Sequence, residues 1–242
     1  MRIIGAAMCL AGWMLWAGAA SAATAQVPEG YRLAQQMSTG DGGELELLED
    51  ARITADLHQS LWGNGSAFDE DAFDDEALAK DVAKRPIVEA RLRLLSASGE
   101  EVESVGLAYP LATLEKASMA GMPSPAFFLT VDQTAPMGSY SGPATQILMP
   151  ALHKLQPMQS QAADGTLKPL FLAQTGKAAW QASDALPEIL QVSSSPADDE
   201  SEDFVTVYRT YRLKGDVWQF SSREENSYWE SEGDFPQRSA FP

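Results

Sequence analysis

The clearest regularity along the chain is an alternation of apolar and polar residues with a period of two, recurring between Pro86 and Ser222. Ile87, Val88, Ala90, Leu92 and Leu94 run as a strand, with Arg91 and Arg93 on the face opposite Leu92 and Leu94. Ser96-Ala97-Ser98-Gly99-Glu100 supplies a turn and Val102 to Leu107 returns, so this stretch reads as an antiparallel hairpin. Phe204 to Leu213 repeats the pattern, with Val205, Val207, Tyr211 and Leu213 on one side. Lys214-Gly215-Asp216 then turns the chain and Val217 to Ser222 pairs back. Between the two hairpins lies the densest aromatic and β-branched run outside the first 25 residues, Ala126 to Val131. Asp132 ends it, a loop of small and polar residues follows from Gln133 to Gly142, and Thr145 to Met149 leaves as a second apolar segment. Asp164-Gly165 turns into Leu167 to Ala173, and Glu188 to Val192 is a short strand. Leu111 to Ala117 fits a strand or a helix equally.

Ahead of Pro86 the spacing changes. Gln26 to Gly43 reads as an irregular lead-in and Glu44 to Leu48 as a half-buried strand. From Thr54, a candidate N-cap, Leu57, Leu61 and Trp62 fall at helical spacing, and Gly63 stands where a helix would stop. Asn64 to Arg85 is an acidic connector with a helix expected over Asp74 to Lys84. Pro150 to Ala163 and Thr175 to Pro187, which carries Trp180, read as loops; Ser193 to Asp203 reads as an exposed acidic segment. The tail from Asn226 keeps Tyr228, Trp229, Phe235 and Phe241 among acids and prolines, a composition expected to pin it to the body. These elements predict a β-rich α+β fold, mainly antiparallel sheet built of hairpins, with one or two short N-terminal helices. The divisions are 1–25, 26–85 with the short helices and connector, and 86–242 as the antiparallel part, with 26–242 forming one globular domain.

Composition changes this picture first at the N-terminus. Arg2, the apolar stretch Ile3 to Ala20 and the small-x-small sites Ala20-Ser21-Ala22 and Ala23-Thr24-Ala25 have the three-part pattern of a secretory signal peptide, assigned to residues 1–25. The expected location is the periplasm, or the medium, after cleavage, with no membrane insertion once the leader is gone. Cys9, the only cysteine, lies inside that leader, so the exported chain has no thiol chemistry and no disulfide. Removing the leader takes Arg2 out of 17 Lys and Arg and no acid out of 34, so the net charge of −17 becomes −18. That balance argues against nucleic acid, whose phosphates need a basic surface, and is compatible with a basic protein partner. It is equally compatible with acids that serve only solubility.

Candidate chemistry is sparse. His58 and His153 are the only histidines, and neither has a second ligand at metal-binding spacing. Gly138-Ser139-Tyr140-Ser141-Gly142 places tyrosine where a nucleophile elbow needs serine. The acids from Asp69 to Asp81 lack the glycine of a calcium loop. No phosphate-cradling glycine loop is present, and no cofactor or metal is expected. Asp132, Met137, Ser139, Tyr140 and Ser141 form the candidate binding loop, since an amphipathic aromatic among small hydrogen-bonding residues suits recognition. A tight turn capped by Asp132 explains the same residues. Two functions remain open: a non-enzymatic exported protein that binds a cationic protein, in the manner of an inhibitor or immunity protein, and an envelope carbohydrate hydrolase using a carboxylate pair. Beneath both lies a structural envelope component.

Overall fold

The computed structural model describes residues 25–65, 73–119, 121–123, 125–151, 154–183, 186–198 and 202–242. His153, the acids at 69–71 and residues 1–24, which hold all but the last residue of the expected leader, lie outside them. In chain order the elements are β1 (Tyr31–Ser38), β2 (Glu44–Asp50), α1 (Ala55–Leu61), α2 (Glu76–Lys84), β3 (Arg91–Leu95), β4 (Glu101–Gly106), β5 (Ala112–Lys116), β6 (Phe127–Asp132), β7 (Pro143–Ala151) and β8 (Lys154–Pro157). They continue with β9 (Gln159–Gln161), β10 (Leu167–Pro169), β11 (Leu172–Ala173), β12 (Ala178–Ala182), β13 (Glu188–Pro196), β14 (Phe204–Lys214) and β15 (Val217–Asn226). The fold is β-rich α+β, built of antiparallel hairpins.

Three sheets result. The first has the order β1-β2-β3-β4, so strands from both sides of residue 86 share it. The middle sheet runs β11-β7-β6-β5 with β8 also on β7, and the third runs β10-β9-β15-β14-β13-β12. Among the described strand pairs only β9 with β15 is parallel.

The middle sheet is apolar on both faces, which explains the density of the 126–131 run. Phe127, Leu129 and Val131 point toward Leu45 and Leu47 of β2 and Leu92 and Leu94 of β3. Phe128 and Ile147 point the other way, joining a second core with Ile189, Tyr211 and Trp218 of the third sheet. Burying a large apolar side chain contributes about 1.5–3 kcal/mol, so a strand loaded on both faces is the natural centre of the assembly. Side chains bridge the rims between the first two sheets. Gln35 of β1 accepts from Leu114 N–H at 2.7 Å and donates to Leu114 O at 3.2 Å, substituting for a missing strand pair. Glu103 of β4 accepts from Leu155 N–H of β8.

Helix α1 starts after Thr54 as the sequence predicts, and α2 starts at Glu76, two residues inside the expected Asp74. Thr54 Oγ1 accepts from Leu57 N–H, and Asp75 caps α2 through Ala77 and Leu78 N–H. Ile53, Leu61, Phe73, Val82, Ile87 and Leu111 close a small third core.

Four segments differ from the sequence reading. The irregular lead-in contains β1, whose period is broken by a bulge between Leu33 and Gln35. Pro150 to Ala163 contains the end of β7 together with β8 and β9, which are rich in Gln, Lys and Pro, poor strand formers recruited by neighbours. The loop carrying Trp180 contains β12, an edge strand held by β13. The acidic segment after Val192 stays in β13 as far as Pro196, with Ser194 buried. Leu111 to Ala117 resolves as strand.

Candidate functional site

The loop after β6 is a braced turn. Asp132 is buried; its Oδ2 accepts from Gly63 N–H at 2.7 Å, and its Oδ1 accepts from Thr134 N–H at 3.1 Å and Thr134 Oγ1 at 2.5 Å. It therefore ties the residue after α1 to the start of the loop. Ser141 Oγ accepts from Ala135 N–H at 3.0 Å, bracing the loop across its width. Two glycines permit the packing: a Cβ on Gly65 would meet the Ala135 backbone at 2.4 Å, and one on Gly142 would meet Gln174 O at 2.2 Å. Ser139 is exposed, with its Cβ over Gly176. Met137 and Tyr140 are the side chains this scaffold presents outward, 88% and 54% exposed. Of the five residues singled out in the sequence, Asp132 and Ser141 hold the loop, while Met137, Ser139 and Tyr140 face solvent.

Buried carboxylates decide what acid chemistry the fold can hold. Among the described residues Glu46, Glu49, Asp50, Asp132 and Glu188 are buried. Both oxygens of each accept hydrogen bonds. Glu46 takes Arg93 Nε at 2.5 Å and Gln36 Nε2 at 3.4 Å. Glu188 takes Arg238 Nε at 2.7 Å, Arg238 Nη2 at 3.0 Å and Arg212 Nε at 3.0 Å. Asp50 takes two bonds from the Arg52 guanidinium, at 2.9 and 2.6 Å, plus the amides of Arg52 and Val88. Burial pushes the Asp50 carboxyl up, but those donors outweigh it and leave the group below its ordinary value. The bond to Asp50 correspondingly outweighs desolvation at Arg52 and raises it.

Glu49 organises a small cleft with titratable walls. It is completely buried, with Arg32 Nη2 at 2.6 Å from Oε2 and His58 Nδ1 at 2.8 Å from Oε1. The Nδ1 atom therefore faces the carboxylate at hydrogen-bond distance. Trp62 stacks on the imidazole, ring centres 5.4 Å apart, and fixes its plane. The bulge in β1 matters here. Arg32 lies opposite Glu49 and Gln35 opposite Leu47, so one extra residue lets side chains three apart share the inner face. The cleft, about 220 Å³, is walled by these groups with Ala34, Ala55, Ala112 and Thr113. It holds a carboxylate–histidine pair without a serine or cysteine in its wall. Sequence spacing could not find it, since the partners stand nine and seventeen residues from Glu49 on three different elements.

A different arrangement occupies one end of the third sheet. After β15 the tail crosses that sheet. Thr206 Oγ1 donates to Ser227 O at 2.8 Å, Trp229 N–H reaches Ser194 Oγ at 3.5 Å, and Ser231 N–H donates to Gly176 O at 3.0 Å. Phe241, Trp229 and Phe235 then cover Val192 and Tyr208. Glu224 and Glu225 at the end of β15 and Glu230, Glu232 and Asp234 of the tail are all exposed. Tyr228, 50% exposed, meets Phe204 edge to face and donates its hydroxyl to Glu230 at 2.7 Å, with the Lys177 ammonium 4.1 Å from its ring centre. Lys177 pairs with Glu230 at 3.2 Å and Arg223 with Glu225 at 2.9 Å.

Among the described residues no group of three His, Asp or Glu is placed to hold a metal ion, and no helix is long and apolar enough to cross a membrane. Comparison with protein families, curated proteins and solved structures gave no match.

Proposed function

We propose that this chain is an exported, non-enzymatic protein that binds a cationic protein partner in the periplasm or medium, in the manner of an inhibitor or immunity protein. The observation that carries this reading is the acidic end of the third sheet. Glu224, Glu225, Glu230, Glu232 and Asp234 are exposed along the end of β15 and the tail that follows it, and the half-exposed Tyr228 donates its hydroxyl to Glu230 at 2.7 Å. Such a surface steers a basic partner and gives it an aromatic face for lysine or arginine. The candidate loop adds Met137 and Tyr140 as a second projecting pair of large side chains.

The test is retention of envelope and secreted proteins on the immobilised mature chain at low salt, followed by a salt gradient and mass spectrometry. One basic protein held in stoichiometric amount and released by salt supports the reading. A column that retains nothing, or a partner indifferent to salt and to replacement of Glu224 and Glu225 by lysine, overturns it.

A further inference from the structure

The leader reading leaves two cleavage sites, after Ala22 and after Ala25, each with small residues at the positions a signal peptidase requires. The fold distinguishes between them. On the outer face of the first sheet Arg93 is 1% exposed and stands opposite Glu46 in the β2–β3 register. Its Nε donates to Glu46 Oε2 at 2.5 Å, its Nη1 to Gln26 O at 2.9 Å and its Nη2 to Ala25 O at 3.1 Å. The Ala25 N–H in turn donates to Gly99 O at 2.9 Å, in the turn between β3 and β4. Ala25 is thus bonded through both backbone groups to the hairpin it lies against.

We propose that the leader is cut after Ala22, so that Ala23, Thr24 and Ala25 remain on the mature chain and Ala25 completes the shell of Arg93. The proposal rests on the export reading above. A cut after Ala25 would remove the acceptor of Nη2 and the donor to Gly99 O, orphaning a group on a buried guanidinium. It would also create an ammonium on Gln26, whose own carbonyl is bound to that guanidinium, placing a second cation beside Arg93. A cut after Ala22 costs neither bond and puts the new ammonium on Ala23, three residues earlier in the chain.

The full chain, expressed with its own leader in a Gram-negative host, is recovered from the periplasm and read by intact mass and N-terminal sequencing. A chain starting at Ala23 is expected; one starting at Gln26 overturns the proposal. A chain still carrying Met1 in the membrane fraction overturns the export reading itself, a result distinct from the wrong cleavage site. Two chains prepared to begin at Ala23 and at Gln26 separate the structural reason from protease preference. The shorter one is expected to unfold at lower urea, and equal midpoints would remove the argument from Arg93.

Discussion

Strand β2 and the acidic end of the third sheet hold carboxylates in opposite ways. Within seven residues β2 buries Glu46, Glu49 and Asp50, and each is met by an arginine from elsewhere: Arg93 of β3, Arg32 of β1 and Arg52 of the turn after β2. At the far end of β15 and along the tail stand five exposed acids, where Lys177 pairs with Glu230 and Arg223 with Glu225. The inner acids cancel their charge and fix geometry. The outer ones are compensated only in part, in a chain whose formal net charge is −17. Charge that shapes the fold and charge available to a partner are therefore carried by different residues, and substitution separates them.

The largest effect is expected at Arg93. Arg93→Met leaves Glu46 buried without its cation, a loss of about 3–5 kcal/mol, measured as a fall in the urea midpoint. Replacing both partners, Glu46→Leu with Arg93→Met, should restore most of the loss, because a well-packed apolar pair costs no desolvation. If the double variant were as weak as the single one, the packing of residues 25–26 onto the guanidinium would be the larger contribution.

Asp50 sharpens the same side of the comparison through pH. Its folded carboxyl lies below the ordinary value of about 3.9, so the stabilisation is fully present above that pH and is lost as pH falls through the lower folded value. Asp50→Asn should flatten the acid limb of a plot of unfolding midpoint against pH, leaving neutral-to-alkaline behaviour parallel to that of the parent.

A smaller loss is expected at Asp132, whose partners, unlike those of Glu46, are mainly amides at an exposed corner. Asp132→Ala should cost about 1–2 kcal/mol, since water can reach the freed Gly63 N–H. Hydrogen exchange at that amide should accelerate well beyond any change in the global unfolding rate.

Asp132 also marks the limit of what the sequence reveals. Its role as a turn cap follows from its place after an apolar run, and Thr54 and the β14–β15 hairpin are legible for the same local reason. The brace that gives the loop its shape comes from Gly63 to Gly65, seventy residues away in the chain by the distance Gly65–Ala135, and no periodicity encodes it. The Arg32–Glu49–His58 cleft was hidden twice over. A bulge breaks the alternation of β1, and a charged residue at the end of β2 looks like a solvated one until Arg32 and His58 are brought to it. Likewise β12 is Ala-rich and becomes a strand through its pairing with β13.

The smallest stability effect, and the one that bears most on function, is expected at the exposed end. Glu224→Lys with Glu225→Lys should shift the unfolding free energy by no more than about 0.5 kcal/mol, as exposed substitutions away from packed contacts do. One ion pair, Arg223 with Glu225, is lost, and exposed pairs of that kind contribute little. Yet the pair of substitutions changes the local charge by four units where a basic partner would approach. Association should slow, and its salt dependence should weaken, while dissociation changes less. Stopped-flow association at two ionic strengths reads both quantities. A variant that binds as fast as the parent and responds to salt as steeply would mean that the acids of this end serve solubility alone. The projecting residues Met137 and Tyr140 would then be the surface to substitute next.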